Sequence, residues 1–203
     1  TENTEFVATF VANEPDQVIV TAASVTVTYD GQGHPVTNVT FTKNGQTVTP
    51  DSNITITYTQ TGTNAPVNAG TYTATITAQV DGQTVTGTAT VTILQRALTV
   101  RTGSANKRYD GYALTNSSIT ITGQAPGESI TGRTTGSQTR VGESPNGYTL
   151  TWGAGVLSSN YRIVESLGIL RVTNAGSSGG SSGGSSGGSS GGRPGTNPTN
   201  PGN

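Results

Sequence analysis

Apolar residues alternate with threonine over long stretches of this chain, and that alternation leaves few folds open to it. The longest examples are TYTATITAQV (residues 71–80) and QTVTGTATVTIL (residues 83–94). A period of two is that of a β-strand with one apolar and one hydroxyl-bearing face. Asp81-Gly82 separates the two runs, and Asp-Gly is a strong hairpin signal because both residues tolerate positive φ. These residues therefore predict a β-hairpin.

Shorter runs of the same kind continue through the chain, and no segment carries a sustained helical period with caps. They occupy residues 97–100, 117–122, 148–152 and 168–173. Further turn-forming pairs stand at Asp30-Gly31, Asn44-Gly45 and Asn146-Gly147. Short strands with a turn about every ten residues are typical of antiparallel sandwiches. We therefore predict an all-β fold built from antiparallel β-sandwiches.

A repeated tripeptide divides the chain into two similar units. Tyr29-Asp30-Gly31 returns as Tyr109-Asp110-Gly111, a spacing of 109 − 29 = 80. The pattern Gly-x-x-x-Val-Thr at residues 87–92 returns at 168–173, a spacing of 168 − 87 = 81. Both ends of the unit thus repeat in step, which predicts tandem modules at residues 24–94 and 95–174 with a short, stiff joint. Residues 1–23 are expected to be the closing strand of a preceding module or an extra strand on the first sandwich.

The tripeptide itself is interpreted as a structural turn in both copies. Asp30 and Asp110 are expected to accept hydrogen bonds from backbone N–H groups of their own turns, and Gly31 and Gly111 to take positive φ. Tyr29 and Tyr109 are expected to pack at the sandwich edge. The alternative is a Ca²⁺ site that uses Asp30, Asp81 or Asp110. Because no run of spaced carboxylates supplies the six or more oxygens that Ca²⁺ prefers, we predict no metal site.

Composition excludes several functional classes. Only 10% of the residues are charged and the formal net charge is −1, so nucleic acid and anionic lipid are not expected partners. Cysteine is absent, which excludes disulfides, Cys-ligated zinc and thiol catalysis. The sequence contains no apolar run of about 20 residues, so membrane insertion is not predicted. The absence of an initial Met and of a signal peptide suggests a fragment or a processed product.

The order of motifs resembles a known family. The first unit contains VTVTYDGQGHPVT, NAGTYTATI and GTATVTI, and the second contains NKRYDGYALTNSSITITG, TGSQTRVG and SNYRIVESLGILRVT. Together they resemble the YDG and MBG families of bacterial Ig-like modules, over residues 24–94 and 97–174. The resemblance implies two Ig-like β-sandwiches and an extracellular location, on the bacterial cell wall or secreted, in a large adhesin. It implies no particular ligand.

Catalytic chemistry is not predicted, and neither is a cofactor. His34 is the only histidine and stands in a Gly-His-Pro turn, and no Gly-x-Ser-x-Gly motif is present. The second Tyr-Asp-Gly is followed by no histidine. An internal amide cross-link would need a buried, uncharged lysine as nucleophile. Lys43 and Lys107 are the only lysines, both in polar turns, so we predict solvated side chains rather than a cross-link.

Recognition is the remaining class of function. Trp152, the only tryptophan, could form a sugar-stacking platform with Tyr148 or Tyr161. The alternative places Trp152 in the core of the sandwich. Threonine-rich faces could also be read as ice-binding ladders, although any half-solvated sheet shows such alternation. A host glycan or an extracellular-matrix protein is therefore the candidate partner.

The C-terminal residues differ in composition from all others. Residues 175–192 are almost entirely Gly and Ser, which predicts a flexible linker, either engineered or a native low-complexity spacer. RPGTNPTNPGN (residues 193–203) favours polyproline II, and this peptide could bind the tandem by adding to an open strand edge. Our leading hypothesis is a non-enzymatic stalk or spacer of a bacterial adhesin. The alternative is a module that binds a glycan, a protein or this tethered peptide.

Overall fold

The computed structural model describes residues 17–174. Within them the chain forms fifteen strands and one short 3₁₀ turn, Ser158–Asn160. This architecture confirms the predicted all-β fold class. The predictions for residues 1–16, for the Gly/Ser linker and for the Pro-rich tail lie outside the described residues. None of the helical structure in residues 17–174 is long and apolar enough to cross a membrane.

The N-terminal half (residues 17–94) contains two sheets. Its strands are β1 (Val18–Ala23), β2 (Val25–Thr28), β3 (Thr37–Lys43), β4 (Gln46–Thr47), β5 (Thr55–Tyr58), β6 (Gly70–Val80) and β7 (Gln83–Leu94). The sheet orders are β1-β3-β4 and β2-β7-β6-β5. β6 and β7 pair along their whole length around a turn in which Asp81 and Gly82 both have positive φ. The longest alternating runs of the sequence therefore form one hairpin.

Alternation places the apolar side chains of both sheets in a shared core. Every second residue of β6 from Tyr72 to Val80 is buried. The two sheets approach closely at Gly87 of β7, where an added Cβ would lie 2.7 Å from the Cβ of Val20. Such a distance leaves no room for a side chain, so glycine is required there. Residues 18–23, for which the sequence left open the closing strand of a preceding module or an extra strand on the first sandwich, form β1 of the sheet β1-β3-β4.

The C-terminal half (residues 95–174) contains three sheets, of three, three and two strands. Its strands are β8 (Arg96–Thr102), β9 (Ala105–Arg108), β10 (Ile119–Thr122), β11 (Ile130–Thr134), β12 (Gly142–Pro145), β13 (Tyr148–Trp152), β14 (Tyr161–Ser166) and β15 (Ile169–Thr173). The sheet orders are β10-β8-β14, β12-β15-β9 and β11-β13. All strand pairs in residues 17–174 join strands of the same half.

Three of the ten strand pairs in residues 17–174 are parallel, so the prediction of antiparallel sandwiches is wrong for these pairs and agrees with the other seven. The parallel pairs are β2 with β7, β8 with β14, and β9 with β15. β2 follows β1 after a single residue, and β9 follows β8 after two. The chain therefore passes from one sheet to the next without reversing direction. The strand that enters the second sheet runs parallel to the closing strand of that sheet. Period-two alternation carries no information about strand direction, which is why the sequence did not reveal these pairs.

Strand register repeats between the two halves. Thr21 of β1 pairs with Thr40 of β3, and Arg101 of β8 pairs with Thr120 of β10. The residue numbers of both partners are offset by the same amount, since 101 − 21 = 80 and 120 − 40 = 80. The last pair of β2 with β7 joins Thr28 to Leu94, and that of β9 with β15 joins Arg108 to Thr173, so the closing strands are offset by 173 − 94 = 79. The Gly-x-x-x-Val-Thr motif gave 81 and therefore aligned the closing strands two residues out of register.

Candidate functional site

Three aromatic rings meet where the two halves of the chain join. Tyr29 directly follows β2 and is only 4% exposed. Its ring meets that of Tyr161, the first residue of β14, edge-on, with centroids 5.7 Å apart and planes at 79°. The ring of Trp152, the last residue of β13, also contacts Tyr161, with a centroid separation of 5.7 Å. The cores of the two halves are therefore continuous through Tyr161.

A single carboxylate links the two tyrosine hydroxyls across this joint. The Tyr29 hydroxyl donates to Oε1 of Glu128 and the Tyr161 hydroxyl donates to Oε2. The Tyr161 oxygen also accepts a 2.8 Å hydrogen bond from the backbone N–H of Ala125. An ionised carboxylate is an acceptor with two oxygens, so one glutamate can hold one hydroxyl from each half. We call Tyr29, Glu128 and Tyr161 the junction cluster.

Burial and charge keep both hydroxyls of the junction cluster protonated. Burial, followed by the hydrogen bond to Glu128, raises the pKa of Tyr161 to about 12. The same two causes, in the same order, raise the pKa of Tyr29 above its ordinary value. Ionising either phenol would remove a donor and place two negative charges side by side. Near neutral pH the cluster is therefore two neutral donors on one acceptor.

Polar contacts to backbone groups fix the joint on either side of the cluster. Nε of Arg96 donates to the carbonyl of Gly123 at 2.8 Å, and Nη1 reaches the carbonyl of Tyr29 at 3.3 Å. Asn160 is 1% exposed. Its Oδ1 accepts from the N–H of Ala69 at 2.8 Å, and its Nδ2 donates to Oδ1 of Asn68 at 3.0 Å. The contacts of Arg96 with Tyr29 and of Asn160 with Asn68 and Ala69 cross the joint and resist rotation of one half against the other.

Sequence reasoning missed most of these residues. Glu128, Arg96 and Asn160 were not singled out, because each meets its cross-joint partner at a large separation in sequence: 99, 67 and 91, respectively. The only available signal was that SNYRIVES, which carries Asn160 and Tyr161, belonged to the family-like motifs. That signal marks a motif and does not indicate its partners.

The first Tyr-Asp-Gly turn is closed by its aspartate. Oδ1 of Asp30 accepts from the N–H of Gln32 and lies 2.9 Å from Nε2 of His34. The backbone hydrogen bond, followed by the contact with His34, lowers the pKa of Asp30. Gly31 has φ of +81°, a conformation that glycine adopts without strain.

The second turn has the same geometry, with a lysine where the first turn has a histidine. Oδ1 of Asp110 accepts from the N–H of Tyr112 at 3.0 Å and from Nζ of Lys107 at 2.6 Å. The contact with Lys107, followed by the backbone hydrogen bond, lowers the pKa of Asp110. Gly111 has φ of +84°. Tyr109, however, is 47% exposed and not buried like Tyr29.

The three residues of the predicted sugar platform do not form one open surface. Trp152 and Tyr161 lie together, but Tyr161 is 4% exposed and is covered by Tyr29. Tyr148 stands four residues before Trp152 on β13, and its hydroxyl donates to Oε2 of Glu165 at 2.9 Å. Burial, followed by Glu165, raises the pKa of Tyr148. Trp152 is half-buried and packs against the core, so its placement fits the core interpretation better than a platform.

The remaining candidate residues form separate pairs at the surface. His34 contacts Asp30, as described. Nζ of Lys43 lies 2.6 Å from Oδ2 of Asp81, whose side chain is 64% exposed. Lys107 is paired with Asp110, whose side chain is 53% exposed. Residues 17–174 contain no group of three or more His, Asp or Glu placed to hold a metal ion. The aspartates of the alternative calcium site thus each have a partner of their own.

Comparison with known proteins gives no independent identity. No protein-family model matches the sequence, and no curated protein matches it. Function is therefore inferred from the junction cluster, the repeated register and the chemistry of individual residues.

Proposed function

We propose that the chain is a non-enzymatic stalk segment of a bacterial cell-surface adhesin, built from two tandem Ig-like modules. The junction cluster is the observation that carries the proposal. A stalk must transmit position from one end to the other, which requires a joint that does not bend freely. Here the joint has one connecting residue, Gln95, between β7 and β8, and it is spanned by buried aromatic and hydrogen-bonded contacts.

The repeated register supports the tandem arrangement. The strand pairs of the first half recur in the second at nearly constant offsets in residue number. Duplication of one unit explains this recurrence more simply than two unrelated folds. The surface location and the Ig-like class come from the resemblance of the Tyr-Asp-Gly and closing-strand motifs to the YDG and MBG families.

Stretching single molecules tests the mechanical role. The full chain is tethered at both ends and extended in an atomic-force microscope. A stalk of two folded modules should resist extension and then lengthen in discrete steps, each of about 25 nm for about 75 residues at 3.3–3.6 Å per residue. Smooth extension without force peaks would refute the proposal.

A binding role is the second candidate, and a surface hollow favours it. A hollow of about 460 Å³ lies on the outer face of β15, lined by residues that include Asn106, Ile169 and Arg171. Such a hollow could take a sugar, a loop of a matrix protein or the peptide 193–203.

An array of host glycans and matrix proteins, probed with the full chain, separates the two candidates. Saturable binding that is lost in Ile169→Ala would favour recognition at the hollow, and loss in Trp152→Ala would favour the aromatic site. A stalk predicts no saturable binding. Titration of the free peptide RPGTNPTNPGN into the chain, with changes in NMR chemical shift as the signal, tests the peptide 193–203 as a ligand.

A further inference from the structure

β14 leaves one of its edges open. It is the outer strand of the sheet β10-β8-β14. Its pairing with β8 runs from Tyr161 with Arg96 to Ser166 with Arg101. Within residues 17–174, β8 is the only strand that pairs with it. An unpaired edge presents a row of backbone N–H and C=O groups to solvent and is a template for another strand.

Beyond its buried first residue, Tyr161, β14 is also exposed on both faces. The five residues from Arg162 to Ser166 are all exposed, whereas a strand in a sandwich normally alternates buried and exposed positions. Ile163 is 45% exposed and Val164 is 38% exposed. Because successive side chains point to opposite faces, apolar surface is exposed on each side of the strand.

The N-terminal half shows how such an edge is closed. There β6 pairs with β7 from Gly70 with Ile93 to Val80 with Gln83. In the C-terminal half β14 corresponds to the first part of β7, since 161 − 79 = 82 and 166 − 79 = 87, and the preceding strand β13 does not pair with it. β13 and β14 meet only through side chains, Trp152 with Tyr161 and Tyr148 with Glu165. The strand that would cover β14 pairs instead with β11.

We propose that β14 docks on β14 of a second copy of this chain, antiparallel, about a two-fold axis perpendicular to the sheet. The merged sheet would have six strands in the order β10-β8-β14-β14-β8-β10. Such an isologous contact closes on itself and gives a dimer. The inference uses only the edge strand and holds whether or not the chain is a stalk.

The sequence of β14 suits self-pairing. A perpendicular two-fold axis keeps the faces matched, so residues of equal parity lie opposite each other. Centred on Ile163, it places apolar Ile163 against Ile163 of the partner subunit and Arg162 against Val164 of the partner subunit. No like charges face each other, which favours the pair. Centring on Val164 would place Ile163 against a carboxylate, Glu165 of the partner subunit, and is less favourable.

Other occupants fit the edge less well. Peptide recognition by strand addition needs pockets for alternate side chains to give specificity, and the hollow described above lies on β15 rather than on β14. The peptide 193–203 contains three prolines, each of which lacks the N–H that a paired strand donates. β14 itself contains no proline, one of the devices that blunt an edge.

Sedimentation velocity of the full chain between about 1 µM and 1 mM tests the proposal, a span that brackets weak to moderate association. We expect a reversible monomer–dimer equilibrium. Ile163→Lys should weaken it at least about ten-fold because two lysines would face each other at the axis. Thr120→Lys, at an exposed position of β10 on the other edge of the same sheet, is the matched control and should leave it unchanged. A monomer throughout the range, or a dimer indifferent to Ile163→Lys, would overturn the proposal.

Cysteine cross-linking fixes the register, because the chain has no cysteine of its own. Oxidised Ile163→Cys should give a disulfide-linked dimer, and Val164→Cys should not. Far-UV circular dichroism of each variant confirms that it is folded. Efficient cross-linking of Val164→Cys alone, or of neither variant, would contradict the proposed pairing. So would protection of the β14 amides from hydrogen exchange that does not vary with protein concentration, because an intramolecular cover would then occupy the edge.

Discussion

Tyr29 and Tyr109 begin the same tripeptide, follow equivalent parallel strands and yet lie in different environments. The N–H of Tyr29 donates to the carbonyl of Leu94 at 2.9 Å, and the N–H of Tyr109 donates to the carbonyl of Thr173 at 2.8 Å. Tyr29 is 4% exposed and Tyr109 is 47% exposed. The local motif therefore determines the turn and the backbone position, whereas burial of the ring depends on what packs against that end of each half.

The difference shows what the C-terminal half contributes at the joint. At Tyr29 the C-terminal half supplies an aromatic neighbour and a carboxylate, Tyr161 and Glu128. At Tyr109 the described residues supply no such cover. Both copies of the motif thus form the same turn. Only the tyrosine of the first copy also helps to hold the two halves together.

Truncating the two tyrosines should give the largest contrast. Tyr29→Ala removes a buried ring and leaves a cavity at the joint, so the free energy of unfolding should fall by about 3–5 kcal/mol. Tyr109→Ala removes a half-exposed ring and should cost about 1 kcal/mol or less. Urea denaturation followed by tryptophan fluorescence measures both. Equal losses would mean that the turn, and not the junction, accounts for the stabilisation by Tyr29.

Removal of the shared acceptor should give a smaller effect. Glu128→Ala leaves two buried hydroxyls without their acceptor, and we expect a loss of about 1–3 kcal/mol. The control is Glu143→Ala, which removes an exposed ion pair with Arg171 and should cost about 0–1 kcal/mol. If Glu128→Ala unfolds no more easily than the control, the carboxylate does not stabilise the joint.

Alkaline pH should weaken the junction. The pKa of Tyr161 is raised to about 12 and that of Tyr29 is also raised, from an ordinary value of 10.0. The folded state holds these protons more tightly than the unfolded chain, so the stabilisation is complete below about pH 10 and is lost as the pH rises towards 12. The urea midpoint of unfolding should therefore fall between pH 9 and pH 12, and it should fall less in Tyr161→Phe. If the urea midpoint of Tyr161→Phe fell with pH as steeply as that of the parent chain, Tyr161 would not be the source of the effect.

Acid pH should have the smallest effect on stability, and a similar one through the aspartates of both turns. The pKa values of Asp30 and Asp110 are both lowered, so each carboxylate stabilises the fold above its unfolded pKa of about 3.9 and loses that contribution as the pH falls through the lower folded value. Asp30→Asn and Asp110→Asn should each be slightly less stable than the parent chain at pH 7. The differences should vanish near pH 2, as thermal melts at the two pH values would reveal. A difference that persists in acid would indicate a role independent of charge.

Local chemistry explains which features could be predicted from sequence. The β6–β7 hairpin follows from alternation and Asp81-Gly82, and the spacing between the two tripeptides equals the offset of the strand pairs around Thr21 and Arg101. These features depend on neighbours in sequence or on a motif repeated at a fixed spacing. Each is visible without knowledge of the tertiary fold.

Features that depend on distant contacts were not predictable in the same way. The partners Tyr29 and Glu128 are 99 residues apart, and nothing in the turn around Glu128 indicates what its carboxylate will bind. Strand direction is not encoded in periodicity, so the parallel pairs were missed. The two-residue error in the closing strands arose because a Gly-x-x-x-Val-Thr match fits the same face of a strand in several registers.

The distance between the two halves tests the central claim most directly, which is that the junction cluster holds them in one orientation. Thr88→Cys and Thr151→Cys place one spin label on an exposed strand position in each half, and dilution with unlabelled chain removes contributions between molecules. Pulsed electron–electron double resonance should give a single narrow distance distribution that broadens when Glu128→Ala is added. A broad distribution in the labelled parent, or a narrow one that Glu128→Ala leaves unchanged, would contradict the account.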